Sequence, residues 1–249
     1  MIWYHAEKKQ CMKVNIIEKV DTPKKDSSDD FIEKIYTQEE LDLLEKRFSS
    51  TNLITAFRLG RALGVRFAEC FGLRWSDIDW KKRTISVKRQ MVYEDKMWCL
   101  RNTKIFSAIR EIDLQDDIFN YLKGLKKEQE KQKQELGVAY KVNRVAIDMG
   151  RNKKKVIEEN PDLINLKGNG ELLSPDSEKV LGRIGRNELG IQFKFHNLRH
   201  THASWLAEHN VPAIVAKKRL GHSKEETTMR YYQHITDGMR NDLLDKLNK

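Results

Sequence analysis

The sequence predicts an α+β fold, mainly helical, with one small antiparallel three-stranded sheet. Two observations carry this. Apolar residues recur at helical spacing, behind recognisable caps, from Thr37 to Leu220. Between them, Thr84 to Leu114 holds three short segments that alternate or run apolar, split by turn residues.

The elements follow in order. Residues 1–25 read as the end of a helix and then a connector, because Trp3, Tyr4 and Ala6 have nothing nearby to bury against. Asp21–Asp30, with Thr22-Pro23-Lys24-Lys25 and Ser27-Ser28, is a linker by composition. Thr37-Gln38-Glu39-Glu40 is a capping box. Leu41, Leu43, Leu44 and Phe48 then form an apolar helical face. Leu53 to Leu63 and Phe67 to Leu73 continue as helices around Gly64. Thr84 to Tyr93 alternates, with Ile85, Val87 and Met91 on one face. Glu94-Asp95-Lys96 turns the chain, and Met97 to Arg101 and Ile109 to Leu114 complete the sheet. Residues 115–136 are helical and strongly charged, with Lys123 to Lys133 on a solvated face. Residues 137–170, with Gly150, Pro161, Gly168 and Gly170, are expected to be loop and broken helix. Ser174-Pro175 starts a helix, with Ser as cap and Pro at the first helical position. Helices fill most of 175–210 and 212–220, Gly221 ends one, and another carries Glu226 to Tyr232. Residues 236–248 form a terminal amphipathic helix on Met239, Leu243, Leu244 and Leu247.

Composition excludes several classes. With 39% hydrophobic and 34% charged residues in 249, the chain can build a core and is not wholly disordered. No run of 18 apolar residues exists, so no transmembrane helix is expected. The start, Met1-Ile2-Trp3-Tyr4-His5 followed by Lys8 and Lys9, is not a signal peptide. Cys11, Cys70 and Cys99 are too few and too far apart for a disulfide framework or a zinc finger, which points to a reducing compartment.

The formal charge is +10, and its distribution is informative. Lys81 to Arg110 carries nine Lys/Arg against two Asp/Glu, and Lys179 to His222 eight against two. Asp26 to Arg47 is acidic, with eight against three. Two basic blocks of this kind suit a phosphate-binding surface, since each neutralised phosphate releases counterions.

Five segments then stand out. Val65-Arg66-Phe67-Ala68-Glu69 leads into Leu73-Arg74-Trp75-Ser76-Asp77-Ile78-Asp79. Thr103-Lys104 lies in a turn between two strands. His196-Asn197-Leu198-Arg199-His200 opens a helix, and Leu220-Gly221-His222-Ser223 closes one. Thr227-Thr228-Met229-Arg230-Tyr231-Tyr232-Gln233-His234 follows. Singly each is weak. Arg66 alone suits a surface ion pair, Glu69 an ion pair or helix-end contact, and His196 and His222 structural roles. Trp75, Trp80, Trp98 and Trp205 suit base stacking, but Trp75 and Trp205 are expected in the core.

Together, in this order, the segments resemble the catalytic domain of the tyrosine recombinases, in particular phage-type and conjugative-transposon integrases. The resemblance runs from about Phe31 to the C-terminus. It implies a tyrosine-recombinase catalytic domain over 31–249, with 236–249 as a C-terminal docking helix, behind the end of an N-terminal DNA-clamping domain and linker at 1–30. It also implies a bacterial, cytoplasmic enzyme that binds double-stranded attachment sites. Such an enzyme is monomeric when free and tetrameric on DNA, open to accessory excision or bending proteins, and needs no membrane.

The resemblance assigns Arg66, Lys104, His196, Arg199, His222 and Tyr232 as catalytic, with no cofactor and no metal. The residue types fit the chemistry. A tyrosine hydroxyl, of pKa about 10, is a poor nucleophile. Attack at phosphorus spreads charge over the nonbridging oxygens, which arginine forks match. His222 donates a further bond, Lys104 protonates the leaving 5′-oxygen, and His196 takes the tyrosine proton. His196 and Arg199, three apart, share a helical face. Tyr231 and Tyr232 lie nine and ten residues after His222. Tyr232-Gln233-His234 matches the family's Tyr-x-His ending and is preferred.

Three other functions share parts of this pattern. A metallohydrolase would use His196, His200 and His202, but Asn197 stands where the zincin motif needs Glu. A DNA-binding regulator without catalysis would share the charge pattern without needing an intact set of six. A type IB topoisomerase-like enzyme would share the chemistry without strand exchange.

Overall fold

The first helix starts where its capping box predicts. The computed structural model describes residues 34–103, 109–148, 155–232 and 247. The Glu40 amide donates to Thr37 Oγ1, and the Thr37 amide to the Glu40 carboxylate, each at 3.2 Å. Helix α1 (Gln38–Phe48) buries Leu41, Leu44 and Phe48. Leu43, expected on the same face, is 51% exposed. It sits two residues from Leu41, about 200° around the helix.

Helix α2 (Ile54–Leu63) ends on Gly64, whose φ of 61° is the left-handed cap that favours glycine. A short helix α3 (Phe67–Phe71) and a single 3₁₀ turn (Trp75–Asp77) follow. Strand β1 (Ile78–Asp79) pairs with β2 (Thr84–Val87), and β2 pairs with β5 (Arg110–Asp113), all antiparallel. This is the three-stranded sheet that the alternation predicts, although its members differ from those expected.

The difference lies at Lys88. The chain leaves the first sheet there and enters a second through β3 (Arg89–Glu94) and β4 (Met97–Asn102). Ile85, Val87 and Met91 are all buried, so the period of two survives the break. The Lys88 carbonyl accepts from the Thr103 amide at 3.1 Å, which closes the corner. Asp95 and Lys96, both at positive φ, make the tight β3–β4 turn.

Helix α4 (Asp116–Leu136) follows, mostly exposed along its lysines but burying Gln129, which accepts from Trp75 Nε1 at 3.0 Å. Among its described residues, 137–170 holds the expected loop and a 3₁₀ turn at Gly137–Ala139, but also two strands that were not expected. Strands β6 (Arg144–Asp148) and β7 (Val156–Glu159) extend the second sheet in the order β3-β4-β6-β7. β6 runs parallel to β4, with Cys99 opposite Ala146. Such a pairing joins strands far apart in sequence and leaves no local turn signal.

The C-terminal half is helical: α5 (Glu178–Leu189), α6 (Phe195–Glu208), α7 (Ala213–Leu220) and α8 (Glu225–Tyr232). Pro175 opens a 3₁₀ turn before α5. Ser174 stands at its cap position without a side-chain bond. The core joins both halves. Phe48 meets Phe57 and Phe193 edge-on, at centroid distances of 5.3 and 5.2 Å. At Gly60 a Cβ would overlap the Phe195 ring, so α2 and α6 approach closely only because that position is glycine. Each buried phenylalanine contributes about 1.5–3 kcal/mol. Trp75 packs against this core, but Trp205, expected inside, is 42% exposed and stacks on His209. Among the described residues no helix is long and apolar enough to cross a membrane. Residues 1–30, Lys104 and, apart from the exposed Leu247, the expected helix at 236–248 lie outside the described residues.

Candidate active site

Arg66 occupies the extended corner between α2 and α3. Glu69, one turn on, receives the Arg66 amide at 2.9 Å and Arg66 Nη1 at 2.8 Å. The Arg66 side chain is 42% exposed, whereas Glu69 is buried. On its other side Glu69 takes the fork of Arg110, Nη2 to Oε2 at 2.8 Å and Nη1 to Oε1 at 3.3 Å. Burial pushes the Glu69 carboxyl up, but the bonds and charge of Arg110, with help from Arg66, bring it down to about 2.

Arg199 rises from α6, buried. Its Nη1 donates to the Gly64 carbonyl at 2.8 Å and its Nη2 to the Leu220 carbonyl at 2.6 Å. It therefore ties the end of α2 to the end of α7, two helix C-termini whose orphan carbonyls favour a cation. Burial, then the nearby charges of Arg66 and Arg110, pull its pKa to about 9.

His222 follows the left-handed Gly221 that ends α7. Its Nδ1 lies 2.9 Å from Thr228 Oγ1, which leaves Nε2 as the ring's other nitrogen. Burial comes first, and then Arg199, Arg66 and Arg110, in holding the ring at about 3, so it is neutral near pH 7. Arg66 and Arg110 thus act on both His222 and Arg199. Three guanidiniums against one carboxylate make a positive centre. A phosphodiester entering it would be stabilised, and its arrival would raise the basicity of His222.

The remaining predicted residues are less gathered. His196 is exposed, and its ring meets His200 edge-on at 4.4 Å. Tyr232 donates to the Val211 carbonyl, 2.6 Å away, and burial raises its pKa. Tyr231, not Tyr232, reaches toward the arginines: its hydroxyl bonds His200 Nδ1, and its ionised form would act on Arg199. His202 faces elsewhere, its Nε2 taken by Arg219 Nε at 3.2 Å. His196, His200 and His202 therefore do not converge as a metallohydrolase would require. Among the described residues no group of three His, Cys, Asp or Glu is placed to hold a metal.

Sequence reasoning missed Arg110, gave Thr228 no role within its segment, and weighed His200 only as a metal ligand. Arg110 had a signal: it shares the inward face of β5 with Ile112, a position where only a paired charge is tolerated.

The arrangement of these segments has known counterparts. Residues 32–238 match the sequence profile of the phage integrase family. The chain belongs to that family. Among relatives of this integrase-family chain, a tyrosine recombinase XerC-like protein of Caldanaerobacter subterraneus is 27% identical, over 86% of this chain and 53% of its own. The integrase of Staphylococcus phage L54a is 26% identical, over 75% and 49%. The chain spans about half the length of the curated relatives it matches. The Tn1549 transposon integrase, solved with transposon right end DNA, shares the fold at a TM-score of 0.66. It is 17% identical, with 94% of this chain and 70% of that one covered.

Proposed function

We propose that this integrase-family chain carries the catalytic domain of a site-specific DNA recombinase. It cleaves and rejoins strands through a 3′-phosphotyrosyl intermediate, for integration or excision of a mobile element. The observation that carries the reading is the shared positive centre: Arg66 acts on both Arg199 and His222, and Arg199 acts on His222, beside the half-exposed Arg66 side chain. Family membership supports it, and the DNA held by the Tn1549 integrase supports double-stranded DNA as the partner.

In this reading Tyr232 attacks the scissile phosphorus. A phosphorus–oxygen bond forms to the phenol and the bond to the 5′-oxygen breaks. His196 accepts the phenolic proton, and Lys104 supplies one to the departing oxygen. Arg66, Arg199 and His222 stabilise the charge that develops on the nonbridging oxygens. One ester replaces another, so rejoining is the same step reversed and needs no external energy source. No metal or cofactor enters the scheme. Cleavage that persists in EDTA supports that, and cleavage lost in EDTA returns the case to a metal-dependent enzyme.

The assignment of Tyr232 draws on the Tyr-x-His ending and requires its hydroxyl to leave Val211. A second assignment, Tyr231, draws on its contact with His200 beside Arg199. The test is a nicked suicide duplex on which attack traps a denaturant-resistant adduct. We expect the wild-type chain and Tyr231→Phe to form it and Tyr232→Phe not to. The reverse pattern moves the nucleophile to Tyr231. No adduct from any form, with DNA still bound, leaves a DNA-binding regulator.

The finer organisation belongs to the same reading. Residues 1–30 end a DNA-clamping domain, and 31–249 form the catalytic domain of a bacterial, cytoplasmic, DNA-associated enzyme. The chain is a monomer when free and assembles four copies on DNA, where 236–249 dock on a neighbour and accessory proteins act on the same sites. Strand exchange between two duplexes separates this from a topoisomerase-like nicking–closing enzyme. Unchanged assembly on DNA after deletion of Thr236–Lys249 removes the docking role.

A further inference from the structure

We infer that Arg110 is a positioning residue for cleavage: it holds Arg66 and the segment leading to His222 in register around the scissile phosphate. The inference rests on the recombinase reading. Arg110 opens β5, and its side chain is 1% exposed, so it acts through other groups and not by touching DNA. It faces inward beside Ile112, where an apolar residue would pack without desolvating a charge. Replacing a buried pair by apolar groups is often neutral for stability, so the charge calls for a reason beyond the core.

The geometry supplies two. The first concerns Glu69. Its buried carboxylate is shared by Arg66 on one side and Arg110 on the other. With Arg110 gone, Arg66 is left as the guanidinium bonded to that carboxylate. Its fork is then drawn inward and its charge cancelled, although 42% of the side chain is now open to an incoming phosphate. Arg110 satisfies Glu69 and leaves Arg66 a net cation.

The second concerns the loop of His222. Arg110 Nε donates to the Arg219 carbonyl at 2.8 Å, and Arg199 Nη2 to the Leu220 carbonyl at 2.6 Å. Two guanidiniums thus hold two consecutive carbonyls at the end of α7. The next residue, Gly221, lies so close that a Cβ there would meet Arg110 Cδ at 3.0 Å and Nη1 at 3.1 Å. His222 comes immediately after. One side chain therefore touches both the partner of Arg66 and the anchor of His222.

The test uses the full chain on the nicked suicide duplex, with single-turnover rate, DNA affinity and melting temperature measured together. Arg110→Met is expected to slow adduct formation about 10²-fold while DNA affinity changes about twofold or less. Glu69→Gln added to Arg110→Met is expected to restore about tenfold of that loss, because Arg66 is no longer captured. Arg110→Lys, which neutralises Glu69 but lacks a fork to hold the Arg219 carbonyl as well, is expected to fall between. A scissile methylphosphonate, which carries no charge, should shrink the difference between wild type and Arg110→Met. Where Arg110→Met does not fold, Arg110→Lys and the double variant carry the comparison. Equal rates for wild type and folded Arg110 variants, or no gain from Glu69→Gln, overturn the inference and leave the recombinase reading standing. A wild-type chain that forms no adduct overturns both.

Discussion

The hydroxyl of Tyr232 is tied to the backbone of Val211, 2.6 Å from its carbonyl oxygen. Its neighbour Tyr231 points about 100° away around α8, toward His200. The two phenols cannot face the arginines together. A turn or unwinding of α8 that carried Tyr232 there would break the bond between Tyr231 and His200. A hydrogen bond of this kind contributes about 0.5–1.5 kcal/mol net. Tyr231→Phe is therefore expected to form the covalent adduct about two- to tenfold faster than wild type, in a single-turnover time course. A slower variant shows that the Tyr231 contact helps the cleavage-competent state and does not restrain it.

Arg66 and Arg199 are predicted to separate when stability and cleavage are measured side by side. Arg66 is half exposed, and Glu69 keeps Arg110 when Arg66 is removed. Arg66→Ala is expected to cost about 1 kcal/mol or less. Arg199 is buried and serves two buried carbonyls, Gly64 and Leu220. Each orphaned acceptor costs about 1–3 kcal/mol, so Arg199→Ala is expected to lose several times more in urea unfolding. Both variants should cleave about 10²–10³-fold more slowly. Equal destabilisation by the two would contradict the difference in burial.

Gly64 offers a way to disturb Arg199 without touching it. Its φ of 61° is costly for any side chain, by about 1–2 kcal/mol. A Cβ there would also meet the His202 ring at 2.8 Å and Leu220 at 2.9 Å, and crowding of this sort costs about 1–3 kcal/mol. Gly64→Ala is expected to lower the urea midpoint and slow cleavage, because the Gly64 carbonyl anchors Arg199. A variant as stable and active as wild type would show that the corner yields without disturbing the site.

These effects show which parts of the molecule could be read in the chain and which could not. The α1 cap, the inward set Ile85, Val87 and Met91, and the glycine stops at Gly64 and Gly221 are local, and local patterns announce them. The corner at Lys88 is not local, since it closes through a carbonyl that bonds Thr103. Nor is β6, whose parallel partner β4 lies more than forty residues earlier. At the site, Arg66, Arg199 and His222 were legible as residue types in order. The tie from Arg110 through Glu69 was not, because it pairs positions 41 apart in the chain. Trp205 was misplaced for a related reason: an aromatic on a helix suits the core, but its own α6 turns that face to solvent and stacks it on His209.

The chain is expected to be acid-sensitive, with the sign set by three histidines. Burial lowers His200 to about 4, with His196 and Arg199 adding to it. Burial also takes His202 to about 3, with Arg219 adding to it, and His222 to about 3, with Arg199, Arg66 and Arg110. The ordinary value is about 6.5, so below it the unfolded chain binds protons that the folded chain refuses. The stability of these neutral rings is present above pH 6.5. It is lost as pH falls toward 4 for His200 and toward 3 for the other two. Glu69, held at about 2, acts in the same direction below its ordinary value near 4.5. Each proton taken up only on unfolding tilts stability by about 1.4 kcal/mol per pH unit. The urea midpoint, measured from pH 8 to 4.5, is therefore expected to drop steeply below 6.5, and His222→Gln should remove one proton's share of that slope. Bound duplex should flatten the same slope, because a phosphate beside His222 opposes the arginines and favours its protonated form. A midpoint that stays level from pH 6.5 to 4.5 would mean that the three rings are not held neutral, and the positive centre around His222 would lose its electrostatic basis.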